Sequence, residues 1–294
     1  MSHSHHHHDS TGNIRIAFFL NITFALLEIA GGFWTNSMAI LSDALHDLGD
    51  AFSLGLAWFF DNRSKKSSDH KYSFGYRRFS LLGALINSLV LILGSLFILS
   101  RAIPRLLNPE ESNAAGMALF AIVGIAVNGA AVLRLKGGKS LNERVVTWHL
   151  LEDVLGWAAV LAVSIVLLFK DIKILDPLLS VVITLYVLYN VAKNFRKTIS
   201  LFLQGVPEEV DITLLEADML SLDNVESVHH THVWSLDGAH HVLTTHVVVE
   251  NDTPRVAVVS LKCAIRELVE NLDIEHTTIE VEHMGESCNL REKT

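Results

Sequence analysis

His46 and Asp50 stand four residues apart in the stretch Ser42-Asp43-Ala44-Leu45-His46-Asp47-Leu48-Gly49-Asp50, and His149 and Asp153 repeat that spacing in Trp148-His149-Leu150-Leu151-Glu152-Asp153. On a helix, a four-residue spacing stacks both side chains on one face. Two such pairs turned toward each other supply two imidazole nitrogens and two carboxylate oxygens. That is a four-ligand site for a divalent metal, and tetrahedral coordination by His and Asp suits zinc. An imidazole nitrogen with an ordinary pKa of about 6.5 holds either a proton or a metal, so His46 and His149 are also candidates for exchanging one for the other.

The elements that must carry these pairs are membrane spans. Half of the 294 residues are hydrophobic and only 19% are charged, a balance that belongs to the membrane class. Apolar stretches of roughly twenty residues, each long enough to cross a bilayer, lie near 14–34, 38–60, 79–101, 114–133, 146–169 and 174–193. The first His-Asp pair falls in the second stretch and the second pair in the fifth. An aspartate inside a span costs about 2.5–3.5 kcal/mol on insertion scales and by default marks an ion path. Interhelical hydrogen-bonded glue is the alternative, but it does not require the same spacing twice. Asp43 shares the stripe of His46 and is read as an interfacial acid or an exit ligand. Asn21, Glu28, Asn87 and Asn128 are read as packing or cavity-lining groups.

Basic residues set the orientation. Arg63, Lys65, Lys66, Lys71, Arg77 and Arg78 lie between spans two and three, and Arg134, Lys136, Lys139 and Arg144 between spans four and five. The positive-inside rule then places both termini in the cytoplasm. Residues 1–12 are polar and histidine-rich, unable to form a core, and expected to be a disordered tail that either gathers metal or is idle. They do not read as a signal peptide. The net charge of −9 reflects acids gathered in the last third of the chain. Cys263 and Cys288 are too few for a disulfide framework and read as reduced thiols. No phosphate-binding Gly-x-x-x-x-Gly-Lys-Ser/Thr loop occurs, so ATP is not the expected driving force.

Gln204-Gly205-Val206-Pro207 ends the membrane part, the glycine stopping a helix that the proline cannot continue. The chain thus divides into a tail over 1–12, a membrane domain over 13–203 and a cytosolic domain over 204–294. In the last, residues 210–220 read as helix, and 225–234 and 241–250 as strands joined at Asp237-Gly238. Thr253 reads as the N-cap of a helix with Pro254 in its first turn. That helix carries Val258, Leu261, Ile265, Leu268 and Leu272 on one face, and 277–281 is a third strand. The order αββαβ predicts a sheet with helices on one face. Its histidines, His229, His230, His232, His240, His241, His246, His276 and His283, point with Glu282 and Cys288 to at least one metal site. Strand alternation places His230 and His232 on one face and His229 on the other.

Taken together, the paired His-x-x-x-Asp motif, Tyr72-Ser73-Phe74-Gly75-Tyr76-Arg77-Arg78, the Leu203-to-Pro207 junction and the αββαβ tail resemble the cation diffusion facilitators, particularly zinc exporters of bacteria. The resemblance covers nearly the whole chain. It implies six transmembrane helices followed by a cytosolic α/β, metallochaperone-like domain, assembly as a homodimer, and proton-coupled export by alternating access. Carried over by residue, it makes His46, Asp50, His149 and Asp153 the transport site and puts His229, His246 and Glu282 near regulatory metal positions. Some relatives bind another metal in the loop between spans two and three. This chain has Tyr72 and Tyr76 there, leaving Asp69 and His70, so that site is expected to be absent or altered. A histidine-rich insert between spans four and five is also missing.

The function expected is export of Zn²⁺ across the cytoplasmic membrane of a bacterium in exchange for protons, with bilayer lipid as surroundings, no nucleic-acid partner and no enzymatic reaction. The alternatives are the same fold moving cadmium, cobalt, iron or manganese, and a membrane metal sensor without flux. An intramembrane metallohydrolase would need a His-Glu-x-x-His arrangement, and none occurs.

Overall fold

A computed structural model describes residues 9–64, 66, 68–135, 141–286 and 288. Six long helices come first: α1 Asp9–Thr35, α2 Met38–Ser64, α3 Arg78–Leu107, α4 Ala114–Leu135, α5 Leu141–Phe169 and α6 Leu175–Phe202. At about 1.5 Å per residue, each exceeds the roughly 30 Å hydrocarbon core of a bilayer. Among the described residues, five contain a membrane-length window that is both apolar and nearly free of charge. Helix α2 is the exception because Asp43, Asp47 and Asp50 crowd its first half and Asp61 and Arg63 its end. The chain forms two compact units, residues 1–59 with 83–195, and residues 60–82 with 196–294.

In the first unit, Ile40 of α2, Met117 and Ala121 of α4, and Trp157 and Val160 of α5 form one buried cluster. Small residues let these helices approach. A Cβ on Gly124 of α4 would run into the Trp157 indole, and one on Gly49 of α2 would run into Leu91 of α3. The start of α2 is fixed from α6. Asp176 accepts hydrogen bonds from Ser37 Oγ at 2.5 Å, Met38 N at 2.8 Å and Ala39 N at 3.2 Å. These satisfy the first-turn N–H groups that a helix leaves unpaired, with a negative charge at the positive end of the dipole. Arg105 of α3 holds the preceding turn through Asn36 Oδ1 at 2.7 Å.

The observed bounds differ from the sequence reading at the ends. Helix α1 begins at Asp9, inside the tail expected to be disordered, while residues 1–8 lie outside the described residues. Helix α6 continues to Phe202, nine residues past its expected end. It is Gln204, not the glycine, that takes the left-handed conformation, at φ 63°. Gly205 N then donates to Ser200 O at 2.8 Å, the six-to-one bond of a Schellman turn. A Cβ on Gly205 would crowd Ser200 Oγ and stand 3.0 Å from Ser200 O, so the glycine eases this close return of the chain.

Beyond the junction come α7 Ile212–Leu220, β1 Ser227–Ser235, β2 His241–Val249, α8 Arg255–Leu268 and β3 Ile274–His283. The expected αββαβ order is present. Strand β2 is central, antiparallel to β1 and parallel to β3. Leu215 and Met219 of α7 and Leu261 and Ile265 of α8 bury against Val233, Leu243, Val247 and Val249, so both helices cover one sheet face. Asp211 caps α7, accepting from Thr213 N at 2.9 Å and Leu214 N at 3.2 Å. Pro254, rather than Thr253, occupies the cap position of α8. Asp237-Gly238 lies within a five-residue connection, Leu236 to His240, rather than a two-residue hairpin. Asp237 Oδ1 closes it by accepting from Ala239 N at 3.0 Å and His240 N at 2.9 Å.

Candidate metal centres

Helices α2 and α5 bring their His-Asp pairs together. Asp50 Oδ2 lies 3.0 Å from His149 Nε2 and 3.7 Å from His46 Nε2. The two imidazole rings meet edge to face with centroids 5.9 Å apart. One ligand atom from each of His46, Asp50 and His149 falls within 4.8 Å of the other two. Asp153 stands at the margin, its Oδ2 4.0 Å from His149 Nε2. Asp50 is therefore the carboxylate shared between the helices, an asymmetry that spacing alone does not disclose. His46 Nδ1 is buried and has no hydrogen-bond partner among the described residues.

The neighbouring polar residues sort by helix face. Glu152 is off the stripe and exposed, accepting from Tyr186 OH at 3.0 Å. Asp43 is buried, and a Cβ on Gly156 of α5 would sit 3.5 Å from its Oδ1. Close approach of α5 thus encloses Asp43 within the helix bundle. Glu28 and Asn128 are buried as well, in keeping with lining roles.

The loop after α2 has spent its acid elsewhere. Asp69 accepts from Lys71 N and Tyr72 N, each at 2.8 Å, and from Tyr76 OH at 2.7 Å. The Tyr76 hydroxyl first, then the two backbone N–H groups, hold this carboxyl below its ordinary 3.8. Tyr72, Tyr76 and Phe79 stack beside it. Arg77 of the same loop grips Glu275 of β3, with Nη2 3.1 Å from Oε1. That guanidinium holds the Glu275 carboxyl below its ordinary 4.5.

A second cluster occupies the sheet face opposite the helices. Register pairs His229 of β1 with His246 of β2, and Glu282 of β3 stands beside Val248. His246 Nδ1 is 2.7 Å from Glu282 Oε1, and His229 Nε2 is 3.4 Å from Glu282 Oε2. His246 Nε2 lies 3.3 Å from Glu280 Oε2 on the other side of its ring. Cys288 Sγ is 3.8 Å from His246 Nδ1. Burial pushes the Glu282 carboxyl up, but hydrogen bonds from His246 and Cys288 and the nearby imidazoles outweigh it and hold it below its ordinary 4.5. It therefore remains a carboxylate at neutral pH, as a metal ligand must.

Simple alternation fails in β1. The register shifts between His229 and His232, and His230 adopts φ 50°. This bulge turns the His230 ring toward His246, with centroids 5.4 Å apart, so His229 and His230 flank one site rather than opposite faces. Three other tail histidines are engaged elsewhere. His240 Nδ1 lies 2.8 Å from Asp237 Oδ2, His276 packs on Phe74, and His283 Nδ1 lies 3.2 Å from Glu250 O. Sequence reasoning did not single out Glu280 as a partner for His246 or Asp176 as the cap of α2. The parallel β2–β3 register and the α2–α6 contact carry those roles, and neither has a local signal.

Residues 14–203 match the family model for the cation efflux transmembrane domain, and residues 207–284 match that for the cation efflux protein cytoplasmic domain. The chain is 32% identical to the cadmium, cobalt and zinc/H(+)-K(+) antiporter of Bacillus subtilis, over 96% of this chain and 92% of that protein. It is 33% identical to the metal cation efflux system protein CzcD of Cupriavidus metallidurans, over 94% and 89%. With the zinc transporter ZitB of Escherichia coli it shares 31% identity over 99% and 97%. Six long helices and a mixed three-stranded cytoplasmic domain, matched along almost their whole length, place this chain in the cation diffusion facilitator family of divalent metal cation efflux transporters.

Proposed function

We propose that this protein exports chiefly Zn²⁺ from the bacterial cytoplasm in exchange for protons, by alternating access at His46, Asp50, His149 and Asp153. The observation that carries this reading is the position of Asp50 between two histidines from different helices, 3.0 Å and 3.7 Å from their Nε2 atoms. A small relative movement of α2 and α5 changes the ligand set, and a site that changes its ligand set can release what it binds. The two aspartates balance the charge of the cation. The histidines choose between metal and proton, so protons arriving from the acidic side displace the metal there. The antiporter name of the Bacillus subtilis relative supports proton exchange, its name and that of the Escherichia coli relative support zinc, and that of the Cupriavidus metallidurans relative supports metal cation efflux.

The basic loops support a cytoplasmic location for both termini. The cytosolic domain is the pairing surface of a homodimer and a metal sensor, with His229, His246 and Glu282 as its ligands. Metal bound there draws the paired domains together and favours transport. Zinc uptake into inverted vesicles tests the reading. Wild type should take up zinc when a proton gradient is imposed, and His46→Ala combined with Asp153→Ala should fall to the background of empty vesicles. Gradient-driven uptake that survives the double substitution would overturn it. A panel of zinc, cadmium, cobalt, iron and manganese in the same assay fixes the preferred ion.

A further inference from the structure

We propose that Cys288 is a thiolate ligand of the cytosolic centre, completing the His229, His246 and Glu282 set to four donors and making that centre selective for zinc and cadmium over oxygen-seeking ions such as manganese. The inference rests on the reading of those three residues as a metal centre, and it names the fourth ligand and the selectivity.

Geometry is the first support. Donors about 2.0–2.3 Å from zinc at tetrahedral angles stand roughly 3.3–3.8 Å from one another. The His229–Glu282 distance is 3.4 Å and the Cys288–His246 distance 3.8 Å, and one donor atom from each of the four residues lies within 4.8 Å of all the others. The Glu282 side chain is only 8% exposed, and its carboxylate accepts hydrogen bonds from both His246 and Cys288, which puts the thiol against the carboxylate. The chain is built to bring the thiol there. After β3, Met284 N donates to Val249 O and Glu286 N to His283 O, each at 3.0 Å, and Gly285 turns at φ 89°. Glu286 Oε2 accepts from His283 N at 3.0 Å and locks the turn that returns residue 288 to the His246 face.

Charge is the second support. Two neutral imidazoles and one carboxylate leave a bound divalent ion with one uncompensated positive charge in a largely buried site, which is costly. A thiolate brings the sum to zero. On binding, the Cys288 S–H bond breaks, the sulfur lone pair is donated to the metal, and the proton leaves to water. Sulfur ligation favours zinc and cadmium over manganese, which prefers oxygen. Glu280 accepts from His246 Nε2–H when Nδ1 is given to the metal, fixing the tautomer.

The test uses the full-length protein in detergent with the membrane site removed by His46→Ala and Asp153→Ala. Cadmium and manganese are titrated into this background alone and with Cys288→Ser, Cys263→Ser or His246→Ala added. The background protein should develop the ultraviolet sulfur-to-cadmium charge-transfer band. Cys288→Ser should abolish the band and weaken cadmium binding at least about tenfold, with little change for manganese. Cys263, exposed on α8, is the control, and its substitution should change neither. A background protein that binds cadmium through His246 without the band, or whose affinity survives Cys288→Ser, would overturn the thiolate assignment while leaving the three-residue centre standing. Binding that His246→Ala leaves unchanged would overturn both.

Discussion

Asp50 is the carboxylate that stands between the histidines of the two membrane helices, its Oδ2 3.0 Å from His149 Nε2 and 3.7 Å from His46 Nε2. Asp50→Asn keeps the shape and removes the charge, so the variant should fold and insert normally while zinc flux in vesicles falls on the order of 100-fold. Flux near the wild-type level would mean that the carboxylate charge is not used. The motif spacing made all four candidate ligands legible, since a charged residue in an apolar run needs a reason. The unequal positions of Asp50 and Asp153 depend on helix rotation and are not legible in the sequence. In the cytosolic domain, His229 and His246 were visible as strand residues, but the His230 bulge was not, because no glycine or proline announces it.

At the scale of elements, two contacts position the membrane helices. Asp176→Ala leaves first-turn N–H groups of α2 without their partner and should lower stability by about 1–2 kcal/mol. Thermal unfolding in detergent would show this as a lower Tm, and an unchanged Tm would assign the cap no role. Gly124→Val forces a side chain into the Trp157 ring and should destabilise by about 1–3 kcal/mol, read in the same assay. Hydropathy located these helices because bilayer thickness fixes their length. It could not say that α6 runs on to Phe202, since the polar Lys193 to Ser200 segment is helical through local bonding rather than burial.

The loop after α2 is tied to β3 through Arg77 and Glu275, whose carboxyl is held below its ordinary value. A depressed carboxylate contributes stability that is present above 4.5 and lost as pH falls through the lowered folded value. Thermal unfolding of the full chain should therefore steepen its fall on acidification below that point, and Arg77→Ala should flatten that part of the profile. Equal profiles would show that the ion pair carries no linkage. Nothing local to either residue predicts this pair, which is separated by 198 positions in sequence.

For the whole molecule, the proposed function couples a membrane site exchanging zinc for protons to a cytosolic centre sensing zinc, and both halves are open to test. Acidifying the cytosolic side should slow loading, because protons then compete with the metal for the imidazole nitrogens. Loading indifferent to cytosolic pH would count against imidazole ligation of the metal. The most direct measurement is zinc uptake by inverted vesicles with and without an imposed proton gradient, comparing wild type with His46→Ala combined with Asp153→Ala. Gradient-dependent uptake in wild type and none above background in the double variant is the predicted result. Uptake indifferent to the gradient, or equal in the two proteins, would contradict the claim that these residues exchange zinc for protons.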